Sequence, residues 1–172
     1  MKTETNILSK VEVRPFSETD SLEELTNLLN VAYKKLADKG FKYVASYQDV
    51  QTTKRRLEKG QCLVAELDSK IVGTITYYPP GVSSGHEWYT QSVAGYGQFA
   101  VYPSLQNLGL GGYLIDFVEK LAVKDQAEEL TINTAEKADE LVGFYSKRGY
   151  RFVGYVQWEE TNYRSVLLSK RI

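Results

Sequence analysis

The stretch FAVYPSLQNLGLGGYLIDFVEKLA, Phe99 to Ala122, decides how the chain is read. It opens on an apolar run closed by Pro103, passes through three glycines within four positions, and ends in a segment with apolar residues at helical spacing. Leu114, Phe117, Val118, Leu121 and Ala122 share one face of that segment. Glycine is unfavourable in a helix relative to alanine, so three of them at a helix entrance imply a reason to keep the backbone bare. The first turn of a helix leaves its N–H groups unpaired and carries the positive end of the macrodipole. Without side chains in the way, a phosphate can reach those donors directly. The pattern predicts a strand, an anion-binding glycine loop and a helix.

Working outward, the predicted elements alternate in type. Val11 to Pro15 reads as a short strand. Ser21 and Glu24 form a capping box for a helix with Leu22, Leu25, Leu28, Leu29 and Ala32 on one face, stopped at Gly40. A second short helix is expected from Asp49 to Lys59. QCLVAELDSKIVGTITYY reads as a hairpin turning at Asp68-Ser69, and the strand before the glycines is expected from Tyr96. Glu129 to Asn133 is a predicted strand, with Asn133 and Glu136 placed to cap a helix running to Arg148. YRFVGYVQW and NYRSVLLSK alternate as closing, antiparallel strands. The order β-α-α-β-β-β-α-β-α-β-β belongs to a mixed α/β domain, expected to span residues 1–172 with its core over about 11–170.

Composition narrows the function classes. The chain has 172 residues, 42% hydrophobic and 25% charged, with a formal net charge of −1. That balance gives no global attraction to nucleic acid or an anionic membrane. The single cysteine, Cys62, excludes an intramolecular disulfide framework, and with one histidine, His86, a His/Cys metal site is not expected. No apolar run reaches the ~20 residues needed to cross a bilayer, and the N-terminus lacks a signal-peptide core. The expected setting is the cytoplasm.

Two familiar phosphate motifs do not fit the loop. A P-loop needs Lys-Ser/Thr after its glycines, where Tyr113-Leu114 stands, and a dinucleotide fingerprint needs a third glycine where Leu114 stands. Gln106-x-x-Gly109-x-Gly111 instead resembles the acetyl-CoA motif Q/R-x-x-G-x-G/A of the GNAT (Gcn5-related N-acetyltransferase) superfamily. LVGFYSKRGYRFVG resembles that family's Y-x-K-x-G-F/Y segment through Tyr145, Lys147, Gly149 and Tyr150. The hairpin from Cys62 is similar to the family's central pair of strands. One position departs: the asparagine that commonly precedes the tyrosine by seven residues is Ala138.

The resemblance implies a twisted, mostly antiparallel sheet of about six or seven strands with about four helices, its central strands splayed to admit CoA. It implies acetyl-CoA as co-substrate, no metal, and acetyl transfer to an amine by direct attack in a ternary complex. Phe99, Ala100 and Val101 would pair with the pantetheine arm. Gln106, Asn107, Leu108, Gly109, Leu110, Gly111 and Gly112 would hold the diphosphate. Tyr145 would be the general acid, because a phenol of pKa ~10 is protonated at neutral pH. The family's usual base positions hold Gly95, Tyr96 and Gly97, which leaves His86, Glu87 or ordered water. Cys62, in an alternating strand, reads as a small hydrophobe rather than a nucleophile.

The acceptor region is expected to be walled by Tyr33, Phe41, Tyr43, Tyr47, Tyr77, Tyr78, Trp88 and Tyr89, with Asp49 and Glu87 as acids suited to a cationic amine. A small amine, an amino acid, an aminoglycoside or a peptide N-terminus are all acceptors of the right chemistry. A homodimer through the closing strands is a further expectation. The alternative reading is a non-catalytic acyl-CoA-binding domain of the same fold.

Overall fold

Seven strands form one sheet in the order β1-β2-β3-β4-β5-β7-β6 in the computed structural model, which describes residues 6–172. The strands are β1 (Glu12–Pro15), β2 (Gln61–Leu67), β3 (Lys70–Tyr78), β4 (Val93–Val101), β5 (Glu129–Ala135), β6 (Arg151–Val156) and β7 (Ser165–Arg171). The helices are α1 (Leu22–Asp38), α2 (Val50–Leu57), α3 (Leu110–Lys124) and α4 (Asp139–Lys147). All neighbouring strands are antiparallel except β4 and β5. A parallel pair requires a crossover, and α3 supplies it.

The two faces of the sheet are covered by different helices. Leu110, Leu114, Ile115, Val118 and Ala122 of α3 pack with Leu63, Ile75 and Leu130 on one face. Leu141 and Phe144 of α4 join the same layer. Leu25, Leu28 and Leu29 of α1 and Leu57 of α2 pack with Cys62, Val64 and Ala100 on the other. Residues 62 to 65 therefore alternate between two buried layers, which is why that strand reads as almost continuously apolar.

Local chemistry sets the element ends. Asp68 and Ser69 both take positive φ, 50° and 61°, as a two-residue hairpin turn requires. Ser21 accepts from the Glu24 N–H at 3.1 Å. The expected capping box is only half made, because Glu24 Oε1 accepts from the Ile71 N–H and ties the start of α1 to β3. Two boundaries differ from the sequence expectation. β4 starts at Val93, three residues early, because Val93–Gly95 pair with Glu129–Thr131. β5 continues to Ala135 through its pairing with β7, so Asn133 is a strand residue and cannot cap α4. Its side-chain oxygen accepts from Trp158 Nε1 instead, and Ala138 stands at the α4 N-cap with no side-chain bond.

Candidate active site

The cleft that defines the site follows from a defect in the sheet. Between Thr74 and Thr76, β3 advances two residues while β4 passes from Ala100 to Gly97, so β4 carries one extra residue. Gln98 occupies this bulge with φ of 48°. Bulges bend and twist the strand that carries them. β4 pairs with β5 only over Val93–Gly95, and from there to Val101 the two strands diverge. The expected splaying of the central strands is thus present, and its origin is the bulge.

Backbone direction in β4 can be read from its partners. Tyr102 donates its N–H to Val72 O at 2.8 Å, and Ala100 lies in register with Thr74, so both face β3. Alternation turns the peptide groups of Phe99 and Val101 into the cleft. Phe99 O there accepts from the Tyr33 hydroxyl at 2.8 Å, and Val101 O from Gln106 Nε2 at 3.1 Å. Ala100 departs from the expectation for the three-residue run. It lines the cleft, but its backbone groups face β3 and its side chain is buried against α1.

The glycine loop sits where the cleft meets α3. Asn107 has φ of 63° and Gly109 φ of 88°, which coils the chain so that successive N–H groups turn the same way. Among the described residues, the N–H groups of Asn107 through Gly112 find no backbone or side-chain acceptor, and the α3 N-cap, Gly109, has no side chain to cap with. These are the free donors expected at an anion site. Leu110 is fully buried and Leu108 half exposed, so both offer only backbone. Gly111 lies in the cleft wall: a Cβ there would sit 3.3 Å from Phe99 Cζ. A Cβ on Gly112 would come within 2.8 Å of an Arg148 side-chain nitrogen, so this glycine makes room for arginine.

Tyr145 reaches the same cavity from α4. Its ring packs against Phe144 and Tyr150 at 5.2 and 6.0 Å. The hydroxyl has no hydrogen-bond partner among the described residues, and the residue lines the cleft beside Phe99 and Gly111. Burial pushes its phenol well above 10, with the neighbouring phenols of Tyr33, Tyr43 and Tyr150 adding to the shift. The hydroxyl is therefore a protonated donor throughout the neutral range.

The cavity has a volume of about 910 Å³ and continues from the loop to the α1/α2 side. Tyr33, Tyr43 and Tyr47 line that side, as expected, together with Tyr163 and Trp158, which the sequence reading did not single out. Tyr43 stacks on Tyr33 at 5.1 Å and on Tyr163 at 4.8 Å. Tyr77 turns away to bond Asp125, and Trp88 bonds Thr131. The expected acids are absent from the cavity wall: Asp49 caps α2 through the Thr52 N–H, and Glu87 is an exposed loop residue. Nor does His86 line the cavity. Its Nδ1 accepts from the Trp88 N–H, and its ring packs beside Gly154 of β6. Cys62 is buried against Thr74, outside the cavity, and burial raises its thiol pKa.

Buried phenols, in the aromatic wall and outside it, couple stability to alkaline pH. Burial raises the phenols of Tyr33, Tyr43 and Tyr163 above 10, and that of Tyr89 to about 12. A group whose folded pKa is raised contributes stability fully below its unfolded pKa and loses it as pH rises through the folded value. Urea melts should hold steady up to pH 10 and weaken progressively towards pH 12 and above. A midpoint that stays flat across that window would contradict the burial of these hydroxyls.

A bulged β4, a divergent β5 and an uncapped α3 N-terminus are combined with a protonated tyrosine in one cleft. The model of the Acetyltransferase (GNAT) family matches residues 22–150. The chain belongs to the GNAT family. Two relatives from Bacillus subtilis (strain 168) are each 27% identical to it. One, S-(2-succino)cysteine N-acetyltransferase, aligns over 136 residues, 74% of this chain and 77% of its own. The other, S-alkylcysteine N-acetyltransferase, aligns over 154 residues, 88% of this chain and 84% of its own. A crystal structure of a GNAT family acetyltransferase from Elizabethkingia anophelis with acetyl-CoA bound superposes with a TM-score of 0.68. It shares 17% identity, covering 95% of this chain and 99% of that one. The GNAT fold and family make this chain an acetyl-CoA-dependent N-acetyltransferase. Among the described residues no group of histidine, cysteine and carboxylate side chains is placed to hold a metal, and no helix is long and apolar enough to cross a membrane.

Proposed function

We propose that this GNAT enzyme acetylates the primary amine of a small molecule by direct attack in a ternary complex, with residues 1–172 acting as one domain in the cytoplasm. The observation that carries the reading is the single cavity that runs from the free N–H groups of the glycine loop to the aromatic chamber under α1 and α2. Donor and acceptor can approach from opposite faces of the sheet and meet where β4 and β5 part. Both curated relatives are named for N-acetylation of S-substituted cysteines, which supports a small acceptor over a peptide.

In this reading the N–H groups from Asn107 to Gly112 hold the diphosphate, and Gln106 fixes the loop to the end of β4. The cleft-facing peptide groups of Phe99 and Val101 pair with the pantetheine amides and place a donor at the thioester carbonyl. Such a donor stabilises the oxyanion of the tetrahedral intermediate, worth about 3–4 kcal/mol in comparable sites. The amine nitrogen bonds to the carbonyl carbon, the C–S bond breaks, and the departing sulfur takes the Tyr145 proton. The amine loses its proton to water in the open chamber, since neither His86 nor Glu87 reaches the cavity wall.

Initial rates of thiol release, with acetyl-CoA and amine varied together, test the kinetic scheme. Intersecting double-reciprocal lines are expected. Parallel lines, with acetyl-enzyme trapped in the absence of amine, would overturn direct transfer.

A further inference from the structure

Basic side chains outnumber acidic ones in the cavity wall: Lys35, Lys39, Arg55, Arg56 and Lys59 line it together with Glu140, which pairs with Lys39 at 3.8 Å, and the exposed Glu160. α2 and its C-terminal turn present Arg55, Arg56 and Lys59 to the cavity. Arg55 and Lys59 are exposed, and Arg55 bonds the Thr52 hydroxyl beside Asp49. Arg56 is the half-buried member. Among the described residues it pairs with no carboxylate, although six other arginines of the chain hold carboxylates through their side chains or lie on the surface.

What holds Arg56 is a relay of neutral amides. One terminal nitrogen of its guanidinium donates to Gln48 Oε1 at 2.6 Å. Gln48 is 3% exposed and donates in turn to Gln98 Oε1 at 3.0 Å and to the Thr53 hydroxyl at 2.7 Å. Gln98, equally buried, is the bulge residue of β4. The relay orients the guanidinium without neutralising it and references its position to the strand that bends to open the site. A guanidinium has five donors in a planar fork, and this one spends a single donor on the protein's side chains.

The charge lies on the α1/α2 side of the cavity. Its positive field acts on the phenols of Tyr33 and Tyr163 in the chamber wall, and the Tyr33 hydroxyl is bonded to Phe99 O on the reacting stretch of β4. The glycine loop and α3 lie on the other face of the sheet, where the phosphates of the donor have their own N–H groups. An unpaired, oriented guanidinium on the acceptor side suits an anion that enters with the amine.

We propose that the acceptor bears a carboxylate close to its reactive amine, as an α-amino acid does, and that Arg56 binds this carboxylate while Arg55 and Lys59 draw the anion into the chamber. This rests on the reading of the cavity as an acetyl-transfer site and adds to it the substrate class. A forked, charge-assisted contact fixes the amine in direction as well as place. Arg56 acts as a specificity residue; the chemistry at the thioester remains with β4 and Tyr145.

The test compares a panel of L-amino acids, S-benzyl-L-cysteine among them, each with its methyl ester. Thiol release from acetyl-CoA gives kcat/KM, and calorimetry on the CoA-loaded protein gives binding without turnover. The acid should be preferred over its ester, and in Arg56→Gln that preference ratio should fall about 30- to 100-fold. Arg56→Lys, which keeps the charge but not the fork, should retain part of it. Because a ratio within one variant is read, a general loss of folded protein does not imitate the effect. Esters that match or surpass their acids, or an Arg56→Gln ratio equal to that of the wild type, overturn the proposal while leaving acetyl transfer standing. Acid-selective binding that Arg56→Gln abolishes, without thiol release, upholds the carboxylate site and counts against the transfer reading. Neither turnover nor acid-selective binding across the panel overturns the proposal.

Discussion

Tyr145→Phe is expected to lower kcat by about 10²- to 10⁴-fold with little change in acetyl-CoA affinity or melting temperature. The split follows from what the hydroxyl does and does not touch. It makes no hydrogen bond within the described protein, so its removal leaves no orphaned partner and costs the fold little. The ring, which packs on Phe144 and Tyr150, is retained. What is lost, in the proposed mechanism, is the proton delivered to the leaving sulfur. The pH dependence gives a second readout. Burial holds this phenol well above 10, so the acid stays loaded across the neutral and mildly alkaline range. The wild-type kcat should show no alkaline decline attributable to Tyr145 up to pH 10. Wild-type turnover in Tyr145→Phe, with acetyl-CoA still bound, would remove the residue from the chemistry.

The sequence made most of the fold legible because its periodic segments coincide with buried faces. The leucines of α1, the apolar face of α3 and the hairpin around Asp68-Ser69 are local patterns, and each element formed where its pattern lay. The errors lie where a distant partner decides. Nothing local to Thr134 and Ala135 marks them as strand; their pairing with β7 does, and it takes Asn133 away from the helix cap. Glu24 likewise left its expected role for a backbone group in β3.

In the site, the glycine loop was legible from local spacing, whereas Tyr145 was reached through the resemblance of its segment to a family motif. The acceptor side could not be read locally. Asp49 and Glu87 carry the charge suited to an amine, but one is consumed as a helix cap and the other faces solvent. Tyr163 and Trp158 arrive from the loop between β6 and β7, and Arg56 comes from a basic cluster that reads as an ordinary solvated helix face. Its orientation is set by Gln48 and Gln98, residues far apart in sequence that meet only when β4 bulges.

The three glycines of the loop illustrate the same division. They look equivalent in sequence, yet the structure gives them separate tasks: a left-handed N-cap at Gly109, cleft wall at Gly111 and clearance for Arg148 at Gly112. Gly111→Val should accordingly raise the KM for acetyl-CoA about 10²- to 10³-fold while the protein stays folded. Gly111 has helical backbone, where a β-branched residue carries no propensity cost relative to glycine. The added Cβ would already press on Phe99 Cζ at 3.3 Å, and the two methyl groups would project into the cleft over the N–H groups. Hydrogen bonds to a charged group are worth about 1.5–3 kcal/mol each, so masking two of them accounts for the expected loss. Gly112→Ala provides the contrast: Gly112 also borders the cleft, but its added Cβ meets the movable end of Arg148, and its effect on KM should be within about threefold. Titration of both variants with CoA by calorimetry, beside their thermal melts, separates the two glycines. Equal loss of binding in both would show that the loop acts through its flexibility and not through an open face at Gly111.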